Sequence, residues 1–297
     1  MVDPALAAAA LVLGCVIGLT GMGGGALMTP ILVGLFGVPP GVAVASDLVA
    51  SAVMKPAGAA VHLRSRNADL VLTRWLVIGS VPPAFLAPII AYHVFGGVDD
   101  STLRVVIGAV VLASSALGLL RAYLTYRRPR REPQSARRYD QVALVILGAV
   151  AGTLVGLTSV GSGSLVAAGL VMLFPALSGS RLTGTDLVQA VPMVWAAALG
   201  HAVIGQFDLA ITTSVVIGGV PGVVLGSLLA TRVRGHWLKA VVLGLLVLSG
   251  LTMIGISLPV TIPAAVAVGL VQMWLATRRR QDDVDARGDA ARGTLRA

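Results

Sequence analysis

Two glycine-rich stretches in this chain carry hydroxyl side chains inside apolar runs. The first reads Gly18-Leu19-Thr20-Gly21-Met22-Gly23-Gly24-Gly25; the second, Gly156-Leu157-Thr158-Ser159-Val160-Gly161-Ser162-Gly163, follows 138 residues later. Water cannot satisfy loose backbone at such depth, so non-helical backbone survives there only when buried in protein or lining a wet cavity. Five glycines in eight residues mark the tip of a broken helix; the competing reading is close helix packing through small residues. Broken helices at matching points of two halves are a sequence pointer to a transport site. A half-helix starting at each tip turns free N–H groups and about half a positive charge toward the membrane centre. Thr20, Thr158, Ser159, Ser162 and Ser164 add hydroxyl donors, while Gly21, Gly23, Gly24, Gly25, Gly161 and Gly163 let backbone approach a ligand. Such a donor set suits an oxyanion better than a cation, which needs carbonyls or carboxylates.

Ionisable residues in apolar spans are costly, so each one counts. Lys55 is the only lysine near the middle of a span. Insertion there costs roughly 2.5–3.5 kcal/mol. The matching residue of the second half is Val194, so Lys55 breaks the likeness of the halves. It is a candidate to hold an anion; the structural alternative is an ion pair with Asp186. Asp47 and Asp186, after Ser46 and Thr185, read either as helix caps in first turns or as gating or proton-linked groups. His62 and His201 read as interfacial hydrogen-bonding residues, with proton coupling as the functional alternative. Trp75, Trp195, Trp237 and Trp274 read as interfacial anchors, although Trp195 falls mid-span and could wall a cavity.

The elements that must position these residues follow from composition. Of 297 residues, 56% are hydrophobic and 12% charged, and the mean hydropathy is +0.91. Several apolar runs reach the ~20 residues that span a bilayer, and they lack the alternation of barrel strands. The expected fold class is therefore all-α, a polytopic membrane protein in contact with the lipid bilayer. The lone Cys15 excludes a disulfide framework and suggests no metal site; no cofactor is expected. No basic leader opens the chain at Met1-Val2-Asp3-Pro4. The formal charge of +9 sits in loops between spans, an orientation signal and not a nucleic-acid surface.

Residues 5–36 would measure roughly 48 Å as one helix at 1.5 Å per residue, too long for a ~30 Å core, so a hairpin broken at the glycines is expected. Spans follow near 43–63, 75–95 and 103–121. Residues 141–175 repeat the hairpin, with spans near 184–204, 210–230 and 238–256, and a short one near 260–276. The resulting units are a first repeat (1–124), a basic linker (125–140), a second repeat (141–256), an additional span (257–277) and a polar, disordered tail (278–297). An offset of 139 pairs Ser46-Asp47-Leu48 with Thr185-Asp186-Leu187, His62 with His201, Asp69 with Asp208, Gly79 with Gly218 and Pro82 with Pro221. Loop 64–74, the segment 121–140, loop 231–239 and the tail hold three, seven, three and six of the 22 basic residues. These should be cytoplasmic. Counting back from them puts the N-terminus outside and makes the repeats inverted, each a broken hairpin plus three crossings.

These residues resemble the sulfite exporter TauE/SafE family of bacterial membrane transporters. The resemblance rests on Gly-Met-Gly-Gly-Gly-Ala-Leu-Met-Thr-Pro (21–30), Ser-Asp-Leu-Val-Ala-Ser-Ala-Val-Met-Lys (46–55) and Gly-Thr-Asp-Leu-Val-Gln-Ala (184–190). Gly-His (200–201) and Gly-Gly-Val-Pro-Gly-Val-Val-Leu-Gly-Ser (218–227) extend it over about residues 10–256. Two departures stand out: Ser159 and Ser162 replace glycines of the first half, and Ser46 stands where relatives often have threonine. The resemblance implies a multi-pass protein of the bacterial cytoplasmic membrane. Its expected substrate is a small sulfur-containing or organic anion, such as sulfite, a sulfonate or thiosulfate, often moved outward by alternating access. A coupling proton or ion and a homo-oligomer belong to the same expectation. An anion channel is one alternative. Another is a membrane enzyme acting on lipid phosphate, which would need carboxylates or histidine at the tips; neither tip has them.

Overall fold

The computed structural model describes residues 2–20, 25–94, 96–127, 140–174, 177–229 and 235–294. Eleven helices make up these residues: α1 (Pro4–Thr20), α2 (Gly25–Gly34), α3 (Pro40–Arg64), α4 (Leu70–Val94), α5 (Asp100–Arg127), α6 (Gln141–Thr158), α7 (Leu165–Leu173), α8 (Gly179–Val203), α9 (Leu209–Leu229), α10 (Gly235–Met253) and α11 (Leu258–Thr294). Seven of them, α3, α4, α5, α6, α8, α9 and α11, are long and apolar enough to cross a membrane. The chain is thus an all-α polytopic membrane protein. Aspartates start many of these helices. Asp3, Asp69, Asp140 and Asp208 each accept hydrogen bonds from backbone N–H groups two or three residues on, satisfying donors that a helix start leaves open. Asp99 does the same for α5; bonds from Ser101 and Thr102 hold its exposed carboxyl down to about 2.

The second apolar run is broken where its glycines fall, between α6 and α7; in the first, α1 ends at Thr20 and α2 begins at Gly25, with 21–24 outside the described residues. Part of each glycine stretch nevertheless belongs to helix packing. α1 packs chiefly on α9, and α6 on α4. At Gly14 and Gly18, and at Gly218, Gly222 and Gly226, a Cβ would overlap backbone of the facing helix. Gly79, Gly148, Gly152 and Gly156 do the same across α4 and α6. Without side chains between them the backbones close up, the main source of helix association in lipid. Gly18 and Gly156 are therefore packing residues, and the tips begin after them. The contacts also fall in matched sets. α1 on α9 corresponds to α6 on α4, α3 on α9 to α8 on α4, and α2 on α10 to α7 on α5, with α3 on α8 between.

Two expectations from sequence change. Asp47 and Asp186 do not lie in first turns: α3 begins at Pro40, whose fixed φ suits the first helical position, and α8 is capped by Ser178 through the N–H of Arg181. Both aspartates therefore sit about two turns into their helices, and neither is a cap. α5 runs to Arg127, and the part of it apolar enough to span a membrane ends at Leu124. α11 continues to Thr294 where a disordered tail was expected from 278; its alanines, arginines and glutamine favour helix in water. Most of the basic linker, 128–139, lies outside the described residues.

Candidate functional site

The second tip runs from Ser159 to Ser164 between α6 and α7. Ser159 ends α6 with φ 60, a left-handed conformation, and its N–H donates to Val155 O. Glycine stands at the matching position of the first half, and for serine this conformation costs about 1–3 kcal/mol. The hydroxyl offsets that cost: Ser159 Oγ donates to Asp47 Oδ2 at 2.8 Å. Thr29 Oγ1, on α2, donates to the same oxygen at 2.9 Å. Asp47 is fully buried and its other oxygen, Oδ1, has no hydrogen-bond partner. Gly161, at φ +110, makes the turn that brings Ser162 to α3.

There Lys55 Nζ donates to Ser162 Oγ at 2.8 Å. Lys55 is 9% exposed and Ser162 3%, so the ammonium is parked on a hydroxyl deep in the protein. Asp186 and Asp47 are the carboxylates whose charges act on it. Asp186 Oδ1 accepts from Gln189 Nε2 at 3.4 Å, and Gln189 is fully buried with Oε1 unpartnered. The expected residues Asp47, Lys55, Ser159, Gly161 and Ser162 are thus brought together, with Asp186 in electrostatic reach. One side of α3 faces them all, because Asp47, Ser51 and Lys55 follow at intervals of four.

Other candidates take different places. Thr158 Oγ1 donates to Leu154 O and accepts from Val160 N, so it shapes the turn and has no hydrogen to offer a ligand. Gly163 and Ser164 complete the turn, and Ser164 precedes α7 without a side-chain cap bond. His201 lies in the last turn of α8 and is buried; its Nε2 donates to Gly156 O at 2.8 Å, satisfying a carbonyl that the end of α6 leaves open. His62, in the last turn of α3, is half-buried with Nδ1 unpartnered. Trp195 joins α8 to α3: its indole N–H donates to Ala52 O at 3.1 Å. Thr20's side chain, Gly21, Gly23 and Gly24 lie outside the described residues, and Gly25 opens α2. A shallow hollow of about 270 Å³ beside the tip is lined by α5, Leu154 and Leu165. Its one polar lining residue is Ser114, so it offers an anion nothing. Sequence reasoning missed Thr29 and Gln189; the only signal for either was a polar side chain in an apolar helix.

A polytopic bundle with a buried lysine and buried carboxylates gathered at a broken hairpin has the build of a membrane transporter, and comparison with known proteins agrees. The chain belongs to the sulfite exporter TauE/SafE family, whose model matches residues 6–253. It is 34% identical over 248 residues to the probable membrane transporter protein YjnA of Bacillus subtilis (strain 168), covering 82% of this chain and 96% of that protein. The probable membrane transporter protein YdhB of the same organism is 24% identical over 215 residues, covering 72% and 85%. No solved structure matches the chain.

Proposed function

We propose that the protein is a secondary transporter of small sulfur-containing or organic oxyanions, with sulfite, sulfonates and thiosulfate as the candidates. The observation that carries this reading is the hydrogen bond from Lys55 Nζ to Ser162 Oγ. A mid-span lysine costs stability, and here it is aimed at the tip of a broken hairpin without forming a tight ion pair. An incoming oxyanion replaces the Ser162 hydroxyl on Lys55 and takes that hydroxyl as a donor, with the start of α7 adding its partial positive charge. The matched helix contacts support two inverted repeats moving against each other about α3 and α8, which is alternating access. The basic loops support a cytoplasmic linker and C-terminus in the bacterial inner membrane, and the family description supports outward transport. Purified protein in liposomes tests this. Sulfite flux that saturates and is accelerated by anion on the opposite side supports a carrier. Flux without saturation means a channel, and phosphate release from lipid means an enzyme.

A further inference from the structure

We propose that Asp47 is a proton site coupled to anion binding, so that the anion at Lys55 is accompanied by a proton on Asp47 Oδ1. This rests on the anion-transport reading above. Asp47 uses a single oxygen for both of its bonds, from Thr29 and Ser159, while Oδ1 is buried and unpartnered. A proton can therefore join Oδ1 and leave both bonds to Oδ2 in place. Charge makes that proton necessary. The charge of Lys55 acts on Asp47, and those of Asp186 and Asp47 both act on Lys55. One ammonium faces two carboxylates, an arrangement that repels an anion until one carboxylate is neutralised. Asp186 keeps its Gln189 donor and its attraction to Lys55. Asp47 has its two hydroxyl donors and the charge of Lys55, and it loses that charge's compensation once Lys55 turns to the anion.

Apart from Lys55 and Asp186, the titratable groups of the described helices around Asp47 are placed elsewhere. α2, α9 and the tip between α6 and α7 contain none, and α5 carries its own toward its two ends. On α8, Arg181 is bonded to Asp69 and His201 to Gly156; on α3 itself, His62 lies in the last turn. The proton comes from water on the side to which the site is open and leaves with the anion on the other. Anion and proton thus move together.

Calorimetric titration of the detergent-solubilised protein with methanesulfonate and with thiosulfate, which do not titrate near neutral pH, tests this in two buffers of different ionisation enthalpy. The wild type should take up about one proton per anion bound. Asp47→Asn should bind without proton uptake and with affinity that no longer varies with pH, and Asp47→Glu should restore uptake. Anion binding by wild type with no proton uptake, or uptake that persists in Asp47→Asn, overturns the proton site while leaving the anion site standing. Absence of saturable binding of either anion by wild type overturns both.

Discussion

Replacing Lys55 with methionine keeps the apolar stem and removes the charge. An ammonium and an oxyanion about 4 Å apart attract by about 4 kcal/mol at an effective dielectric of about 20. Each ~1.4 kcal/mol is tenfold in Kd, so Lys55→Met should weaken anion binding by about two to three orders of magnitude. The fold should not suffer equally. The variant loses the bond to Ser162, worth about 1.5–3 kcal/mol for a charged donor, and is relieved of roughly 2.5–3.5 kcal/mol of lysine insertion cost. These nearly cancel at a pH low enough for a carboxylate left without its cation to be protonated. Thermal unfolding in detergent, with and without sulfite, separates the two effects: an anion at about 100 times Kd stabilises by about 2.7 kcal/mol. Wild type should show that upward shift and Lys55→Met almost none, from an unchanged starting midpoint. Lys55→Arg should keep part of it. An equal sulfite shift in Lys55→Met refutes the reasoning, and a collapsed midpoint without anion makes the lysine structural.

Ser159→Gly relieves left-handed strain while Ser159→Ala retains it, and both lose the bond to Asp47. The glycine variant should therefore be the more stable by about 1 kcal/mol or more, and equal midpoints contradict the tip geometry. Gly161→Val should insert and remain monodisperse yet lose transport, because valine resists φ +110. Gly152→Leu should instead fail to fold, since a side chain there meets the backbone of Ser80. Transport by Gly161→Val, or a well-folded Gly152→Leu, reverses the division between tip and packing glycines. In a background lacking Cys15, cysteines at Ala136 and Ala290 should resist an impermeant maleimide in intact cells, and ready labelling of either contradicts the orientation.

The break between α6 and α7 was legible because length and glycine content conflict with a continuous span. Lys55 was legible because it is expensive where it stands. Its partner was not: Ser162 lies 107 residues away, and nothing local pairs α3 with the second tip. The glycines separated by four in 218–226 announce a packing face, but which helix fills it depends on the assembled bundle. Asp47 was misplaced for a local reason. Ser-Asp looks like a helix start, yet Pro40 opens α3 earlier and the aspartate ends up inside. Gln189 was hidden by its symmetry mate, Ala50, which has no polar atom to suggest a pair.

In the proposed mode of binding an oxyanion sits between Lys55 and the second tip. Selenite, a heavier analogue of sulfite, gives an anomalous signal that locates it in a crystal of the protein. The predicted result is one selenium peak whose oxygens lie within hydrogen-bond distance of Lys55 Nζ and Ser162 Oγ. Selenium found only against the basic loops, or no selenium at all in a crystal grown with saturating selenite, would contradict the account.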